Sequence, residues 1–526
     1  MTRQEIGPVT SVVAARLFWA AIAASWVLLA CLYAWTVLST VSTVSPATAI
    51  AFVLIGAASS VIWLNGIRHL AMWTTAPFWN SRSHRPLPSE QAPEARIALL
   101  YCTADDFNPD ALRSSMAQKH PAATVILDDS ATISSQRAVD SFARATGAQV
   151  VRRPRRTGFK AGNLNHGIGG LIDDFDYFVI LDSDEVIPPH FVSKALEWFR
   201  SEPQIGIVQA RHRAWRGVTT FTAAFSGLVG SHLSIAQPAR SRAGFSAFLG
   251  RGAMVSADCY RNAGPIPEVV LEDVAFSLEV RLAGYRIAYD HDLVCVEDYP
   301  VDYRAFRSQH TKLVEGATEF LVRSARRILT SRLSLREKAD LLIEQLMVSL
   351  MGVAGLALII SGLLLTIPGQ TTQPQLWAVG ATALLGMVPL WPEAVRVQRQ
   401  HGILAAGTFL ALATTLYSST LLITLRATAK ILLGHTATFK VTPKKPRRGR
   451  MLASLRLDIW VASGALGAAL LLSGSAVPAL PIAGPTLAAL CFARFGTRLV
   501  RSAGLRPPVR DTMARWNRGT LSQTGR

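Results

Sequence analysis

Two uninterrupted apolar runs open the chain, at about Leu17–Leu38 and Ala49–Ile67. At about 1.5 Å of rise per residue, each is long enough to cross a hydrocarbon core of about 30 Å as a helix. Their connector, STVSTVSPAT, is uncharged, whereas Arg3 and Arg16 precede the first run and Arg68, Arg82 and Arg85 follow the second. The positive-inside rule then predicts that both the N-terminus and everything after residue 68 are cytoplasmic. From about residue 95 to 335 the pattern changes. Short β-type runs (RIALLYC, ATVILDD, AQVVRR, DYFVILD) alternate with polar, helix-compatible stretches. That alternation predicts a parallel sheet with helices on its faces, and ligands of such sheets sit at the carboxyl ends of the strands.

Beyond Leu341 the apolar runs return, at about 346–367, 376–390, 401–433, 459–472 and 478–495. Taking all as spans gives seven and leaves the basic run 440–456 outside. If 401–433 lies along the cytoplasmic interface instead, as its Arg426, Lys430 and several Thr/Ser suit, the count is six and both basic tracts are inside. The predicted organisation is therefore an N-terminal membrane region (1–75), a cytoplasmic α/β domain (95–335), a C-terminal membrane region with an interfacial helix (336–500) and a basic tail (501–526).

Composition agrees with membrane spans diluted by a soluble part: 50% of the 526 residues are apolar and 17% charged. The formal net charge is +19. Lys440–Arg456 holds seven basic residues and no acid, and Arg494–Arg526 holds eight with the single acid Asp511. Both tracts flank apolar segments, so their expected partners are anionic membrane lipids and not nucleic acid. The cysteines (Cys31, Cys102, Cys259, Cys295, Cys491) are scattered without a C-x-x-C, which excludes a disulfide framework and a cysteine zinc site as readings.

The strongest local signal is LDSDE, Leu181–Glu185, at the end of the apolar strand YFVI. Carboxylates two apart at a strand end, Asp182 and Asp184, can grip one hard cation and present it to a diphosphate. Asp128 and Asp129 close an earlier strand and are candidates for the base or ribose of a nucleotide; capping of the next helix by Asp129 or Ser130 is the alternative. Between them, GFKAGNLNHGI (Gly158–Ile168) offers small residues for close backbone approach, Lys160 as a cation, and the amides of Asn163 and Asn165 near a helix start. In LEDVAFSLEV, Glu272 and Asp273 stand at the start of a helix, where a carboxylate is more often a cap than a catalyst. RSQHTKLVEG (Arg307–Gly316) and FKVTPK (Phe439–Lys444) complete the set. Trp198 and Trp215 are expected in the core.

In this order, the five stretches resemble the processive family 2 glycosyltransferases, the group of the bacterial cellulose synthase catalytic subunit and hyaluronan synthase, over roughly residues 95–450. The resemblance implies a glycosyltransferase A-type (Rossmann-like) α/β domain inserted in an all-α membrane domain of about six transmembrane helices in a bacterial inner membrane. It implies that Asp129 and Lys160, with Asp128 and Asn163, bind the nucleotide. Asp182 and Asp184 would bind Mg2+ or Mn2+ with the diphosphate, and Asp273, beside Glu272, would be the catalytic base, with Leu271 replacing the Thr of the family's T-E-D. Phe439, Val441, Thr442 and Lys444 match every fixed position of the F-x-V-T-x-K loop that covers the nucleotide. At the family's Q-x-x-R-W the chain departs: Gln309 is kept, but Lys312 stands for Arg and Leu313 for Trp. The charge survives, while the bidentate fork and the flat sugar-stacking platform are lost. The expected activity is polymerisation of a nucleotide sugar, with UDP-glucose as donor, onto a growing glycan acceptor that is passed outward, with an extracytoplasmic export partner. A non-processive transferase is the nearer alternative. A channel or transporter without chemistry does not need acidic clusters at strand ends, and the membrane runs carry almost no charge. A cyclic-dinucleotide module at Arg506–Arg510 is rejected, because too little chain follows it.

Overall fold

The computed structural model describes residues 9–40, 44–81, 95–214, 219–365, 375–438, 455–473 and 480–502. The first two apolar runs form long helices, α1 (Val9–Leu38) and α2 (Pro46–Ser81). The soluble region follows with β1 (Ile97–Thr103), α3 (Pro109–Met116), β2 (Ala123–Asp128), α4 (Ile133–Thr146), β3 (Gln149–Val151), α5 (Phe159–Leu171), β4 (Tyr177–Asp182), α6 (Phe191–Ser201) and β5 (Ile205–Ala214). An excursion of α7 (Thr220–Ser231), a π-helical turn (His232–Ala236) and α8 (Gln237–Ala243) leads to β6 (Ala253–Ser256), α9 (Ala257–Ala263), α10 (Glu272–Leu282) and β7 (Arg286–Glu297).

The strands make one sheet in the order β3-β2-β1-β4-β6-β5-β7. Neighbours pair in parallel except around β6, which runs antiparallel to both β4 and β5. The central strands read as continuous apolar runs because helices cover both faces. Leu99, Tyr101, Val179 and Leu181 face one buried cluster with α6, and Leu100, Leu127, Phe178 and Ile180 face the other with α5. Trp198 belongs to the first cluster and donates its indole N–H to Asp290 at 2.9 Å, so the expectation of core packing holds for it. Trp215 lies outside the described residues.

The long helix α11 (Tyr303–Thr330), N-capped by Asp302, leads from the sheet to α12 (Leu335–Leu365). Next come α13 (Leu376–Met387), α14 (Trp391–His401), α15 (Ile403–Ser418), α16 (Leu421–Leu432), α17 (Arg456–Ser473) and α18 (Leu480–Ser502). Among the described residues, five helices are long and apolar enough to cross a membrane: Val13–Leu38, Pro46–Phe78, Leu335–Leu365, Leu376–His401 and Ile403–Leu432. The segment expected as one interfacial piece over 401–433 differs from that reading. It is two helices meeting at Ser419–Thr420, where the Ser419 and Thr420 hydroxyls bond back to the carbonyls of Leu416 and Tyr417. Such local bonds compete with the helix ladder and bend it.

A buried ion cluster joins the long apolar helices α2 and α12 to the sheet domain. Arg68 of α2 contacts Asp340 (2.8 Å) and Glu344 (2.6 Å) of α12, and Arg240 of α8 contacts Asp340 at 2.9 Å. Asp340 also accepts the backbone N–H of Phe245 at 2.9 Å. The segment entering β6 is thereby tied to both α2 and α12, and this segment forms one wall of the site.

Candidate active site

The acidic clusters gather where a parallel sheet presents its carboxyl ends. Thr103 of β1 stands opposite Asp128 of β2, and Cys102 opposite Asp182 of β4. Asp128 is buried, accepting from Ser130 N–H (2.9 Å) and Arg152 Nε (2.8 Å). Asp129 is held by both Nε (2.9 Å) and Nη2 (2.6 Å) of Arg153, a bidentate fork. Neither Asp129 nor Ser130 caps the next helix, a role taken by Thr132. The two arginines stand 24 positions downstream, directly after the short edge strand β3, and sequence reading missed them.

The glycines of GFKAGNLNHGI serve close approach, as expected. Gly158 has φ +69° at the start of α5, where a side chain would collide with Glu268, and Gly167 lets α5 lie on Leu127. Lys160 reaches across to Asp182 Oδ1 (2.5 Å) and Gly250 O (2.8 Å). Burial alone lowers an ammonium pKa, but the adjacent Asp182 carboxylate more than reverses this, holding Lys160 above its ordinary value. Asn163 is buried and donates to Leu127 O at 3.0 Å, joining α5 to β2. Asn165 likewise fixes the loop before α10, bonding Ile266 in both directions.

At the end of β4 Asp182 is partly exposed; beyond it Asp184 is buried and accepts Asp298 N–H at 3.1 Å, and Glu185 is fully buried and accepts Gly252 N–H at 2.9 Å. Facing them is the turn Gly250-Arg251-Gly252, whose glycines have φ +81° and +55°. Arg251 pairs with Glu297 at the end of β7 and stands 3.8 Å from Asp182. Behind it, His212 lies 3.4 Å from both Glu185 and Glu297. Burial, then the charge of Glu297, raises Glu185 well above its usual range. Burial would do the same to Glu297, but Arg251 and then His212 hold it well below. No local sequence pattern links these residues; the signal that was present is an arginine flanked by glycines before a strand.

Glu272 and Asp273 open α10, but neither is its cap. The N-cap position is Leu271, and among the described residues Asp273 Oδ1 accepts only from Val274 N–H, at 2.8 Å. Burial, then the neighbouring Asp273, pushes Glu272 up to about 7, and burial raises Asp273 as well. On α11, Lys312 turns toward the same space. Burial lowers its pKa, opposed by Glu272 and Asp182 and reinforced by Arg251. Gln309 and Leu313 are exposed, Leu313 by 44%. Phe439, Val441, Thr442 and Lys444 lie outside the described residues. Thr438, immediately before them, is anchored to Glu315 of α11 by its N–H at 3.1 Å and its hydroxyl at 3.2 Å.

Six carboxylates (Asp182, Asp184, Glu185, Glu272, Asp273, Glu297) thus share one region with Lys160, Arg251 and Lys312. An excess of buried acid over base suits a hard divalent cation, and Asp182 and Asp184 offer only oxygen.

Comparison with known proteins decides the family. The description "Glycosyl transferase family group 2" matches residues 177–439, half of the chain, and "Glycosyl transferase family 2" matches residues 107–229. The chain belongs to glycosyltransferase family 2. Its soluble part is accordingly a glycosyltransferase A-type α/β domain with a mixed sheet. Among curated relatives, it is similar to the "Probable glucomannan 4-beta-mannosyltransferase 15" of Arabidopsis thaliana, at 27% identity over 30% of each chain. It is also similar to the "Probable glucomannan 4-beta-mannosyltransferase 9" of Oryza sativa subsp. japonica, at 27% identity over 30% of this chain and 31% of the other. The matched part therefore spans under a third of these relatives' length. Among solved structures, the mannosyltransferase PcManGT of Pyrobaculum calidifontis, in complex with GDP-Man and Mn2+, overlays at TM-score 0.48 and 18% identity. The overlay covers 73% of this chain and 99% of PcManGT.

Proposed function

We propose that this glycosyltransferase family 2 protein is membrane-bound and inverting. In this reading it polymerises a nucleotide-activated hexose into a β-linked polysaccharide on the cytoplasmic face of a bacterial inner membrane and passes the product outward. The observation that carries the reading is the convergence of Lys160, Asp182, Lys312 and the Glu272–Asp273 pair at the carboxyl ends of β1, β2 and β4. The nucleotide lies along Asp128, Asp129 and Lys160. Asp182 and Asp184 hold Mg2+ or Mn2+, which when bound offsets charge on the leaving diphosphate. Asp273 accepts the proton of the acceptor hydroxyl as its oxygen attacks the anomeric carbon. The bond from that carbon to the diphosphate breaks with its electron pair, so an α-linked donor gives a β-linkage. Lys312, with Thr442 and Lys444 of the loop, contacts the diphosphate, and closure of Phe439–Lys444 keeps out water that would hydrolyse the donor. Anchoring of Thr438 on α11, one turn from Lys312, supports placing the loop at this site.

UDP-glucose is the donor expected from the family at large, and the names of the mannosyltransferase relatives support an activated mannose as its competitor. The exposed Leu313 in place of a stacking aromatic supports a second reading, transfer of one sugar to a lipid or short glycan. Purified enzyme incubated with radiolabelled UDP-glucose, GDP-mannose and other nucleotide sugars separates these readings. The expected product is a long chain cut by one β-specific hydrolase; single-sugar products would refute polymerisation, and no transfer from any donor would refute the assignment.

A further inference from the structure

The departure at position 312 leaves the site without the planar fork that suits a phosphate, since an ammonium acts as a point charge. A guanidinium is nevertheless present. Arg251 stands on a turn whose two flanking glycines both take positive φ. A side chain at Gly252 would collide with Glu185 and His212, and one at Gly250 would meet Asp273 and Glu272. At Gly252 the turn therefore brings its backbone closer to Glu185 than a side chain permits, while Gly250 is required by its positive φ, and Arg251 between them keeps 30% of its side-chain exposure.

Of the five N–H donors of a guanidinium, Nε and one on Nη2 go to Glu297, and one on Nη1 goes to Leu249 O. One N–H on each terminal nitrogen has no hydrogen-bond partner among the described residues. Glu297 lies between Arg251 and His212, 3.4 Å from the latter, so the guanidinium is clamped along its Nε–Nη2 edge, and the same Nε stands 3.8 Å from Asp182. Holding a cation rigidly before charge arrives is how an enzyme avoids reorganisation cost. Lys312 feels Arg251 as a like charge, which places both cations around one space.

We propose that Arg251 is a donor-phosphate contact, and that the Gly250–Gly252 turn supplies the fork that Lys312 does not. This rests on the proposed use of a nucleotide-sugar donor. The alternative is a brace that only neutralises Glu297. Binding of UDP and GDP, and of the matching nucleosides, to full-length protein in Mn2+-containing buffer distinguishes them. Arg251→Lys is expected to weaken the preferred nucleoside diphosphate on the order of tenfold to a hundredfold, as for a lost charge-assisted bond, with nucleoside affinity unchanged. Adding Lys312→Arg to that variant is expected to recover most of the loss, which a brace would not allow. Should Arg251→Lys fail to fold, Glu297→Gln, which keeps the guanidinium but loosens its clamp, is expected to weaken the diphosphate alone. Equal weakening of diphosphate and nucleoside, or none, would overturn the proposal while leaving the donor reading intact. Failure of the wild type to bind either diphosphate would overturn both.

Discussion

Glu315, on the turn of α11 after Lys312, accepts both the backbone N–H and the hydroxyl of Thr438 while pairing with Lys430 at 2.9 Å. One buried carboxylate thus fixes the last residue before FKVTPK against the helix that carries Lys312. Glu315→Ala is expected to raise the donor KM about tenfold, with a smaller effect on kcat, because the loop loses its anchor. Steady-state kinetics beside a thermal melt check this. An unchanged KM would detach the loop from donor binding.

Asp273 has one oxygen, Oδ2, without a hydrogen-bond partner among the described residues, and it does not cap its helix. Asp273→Asn should therefore leave donor binding nearly intact and lower transfer by roughly 10²–10⁴-fold, the range for general-base loss. Equal loss of donor binding and of thermal stability would return Asp273 to a structural role.

The Glu272–Asp273 pair should also set the pH dependence. Glu272 is pushed up to about 7 from 4.5, so the native state holds this proton more tightly than the unfolded chain does. Its contribution to stability therefore falls as pH rises from about 4.5 to about 7, then levels off. Glu272→Gln removes that decline and the negative neighbour of Asp273. Melts at pH 5 and pH 8 should differ less for the variant than for the wild type. An unchanged difference between the two pH values would mean that Glu272 does not carry the decline.

Leu313 is 44% exposed, so Leu313→Trp meets no packed core. If position 313 faces the acceptor, the new ring adds about 0.5–1.5 kcal/mol of aromatic contact, and product length or rate changes while the melting temperature stays within a few degrees. Gel filtration of products beside a melt reads both. Unchanged products would remove Gln309–Leu313 from the acceptor site.

The parts of this site that sequence reading found share one cause. Strands buried on both faces must be apolar throughout, so the acids that end them, Asp128, Asp129 and Asp182, stand out against their own strand. The parts it missed are long-range pairings. Arg152 and Arg153 meet those acids only through parallel pairing of β2 and β3, and Arg251, His212 and Glu297 meet only once β6 inserts antiparallel between β4 and β5. The bond that Asn163 makes to the Leu127 carbonyl was hidden for a related reason: it depends on its helix packing Gly167 onto Leu127. Over 401–433, the apolar stretch was visible, but the break at Ser419–Thr420 depends on hydroxyls whose bonds appear only in three dimensions.

Orientation in the membrane is open to direct labelling. Single cysteines at positions 44 and 371 are expected to react with an impermeant reagent in intact cells, and those at 446 and 515 are not. Labelling at 446 would put FKVTPK on the wrong side for the proposed site.

The most direct test of the central claim is radiolabelled sugar transfer by wild type and Asp184→Asn, each assayed after chelation and after return of Mg2+ or Mn2+. Chelation is expected to abolish wild-type transfer, the returned cation to restore it, and Asp184→Asn to stay inactive throughout. Transfer that survives chelation, or an Asp184→Asn enzyme rescued to wild-type rate, would contradict metal-assisted glycosyl transfer at this strand end.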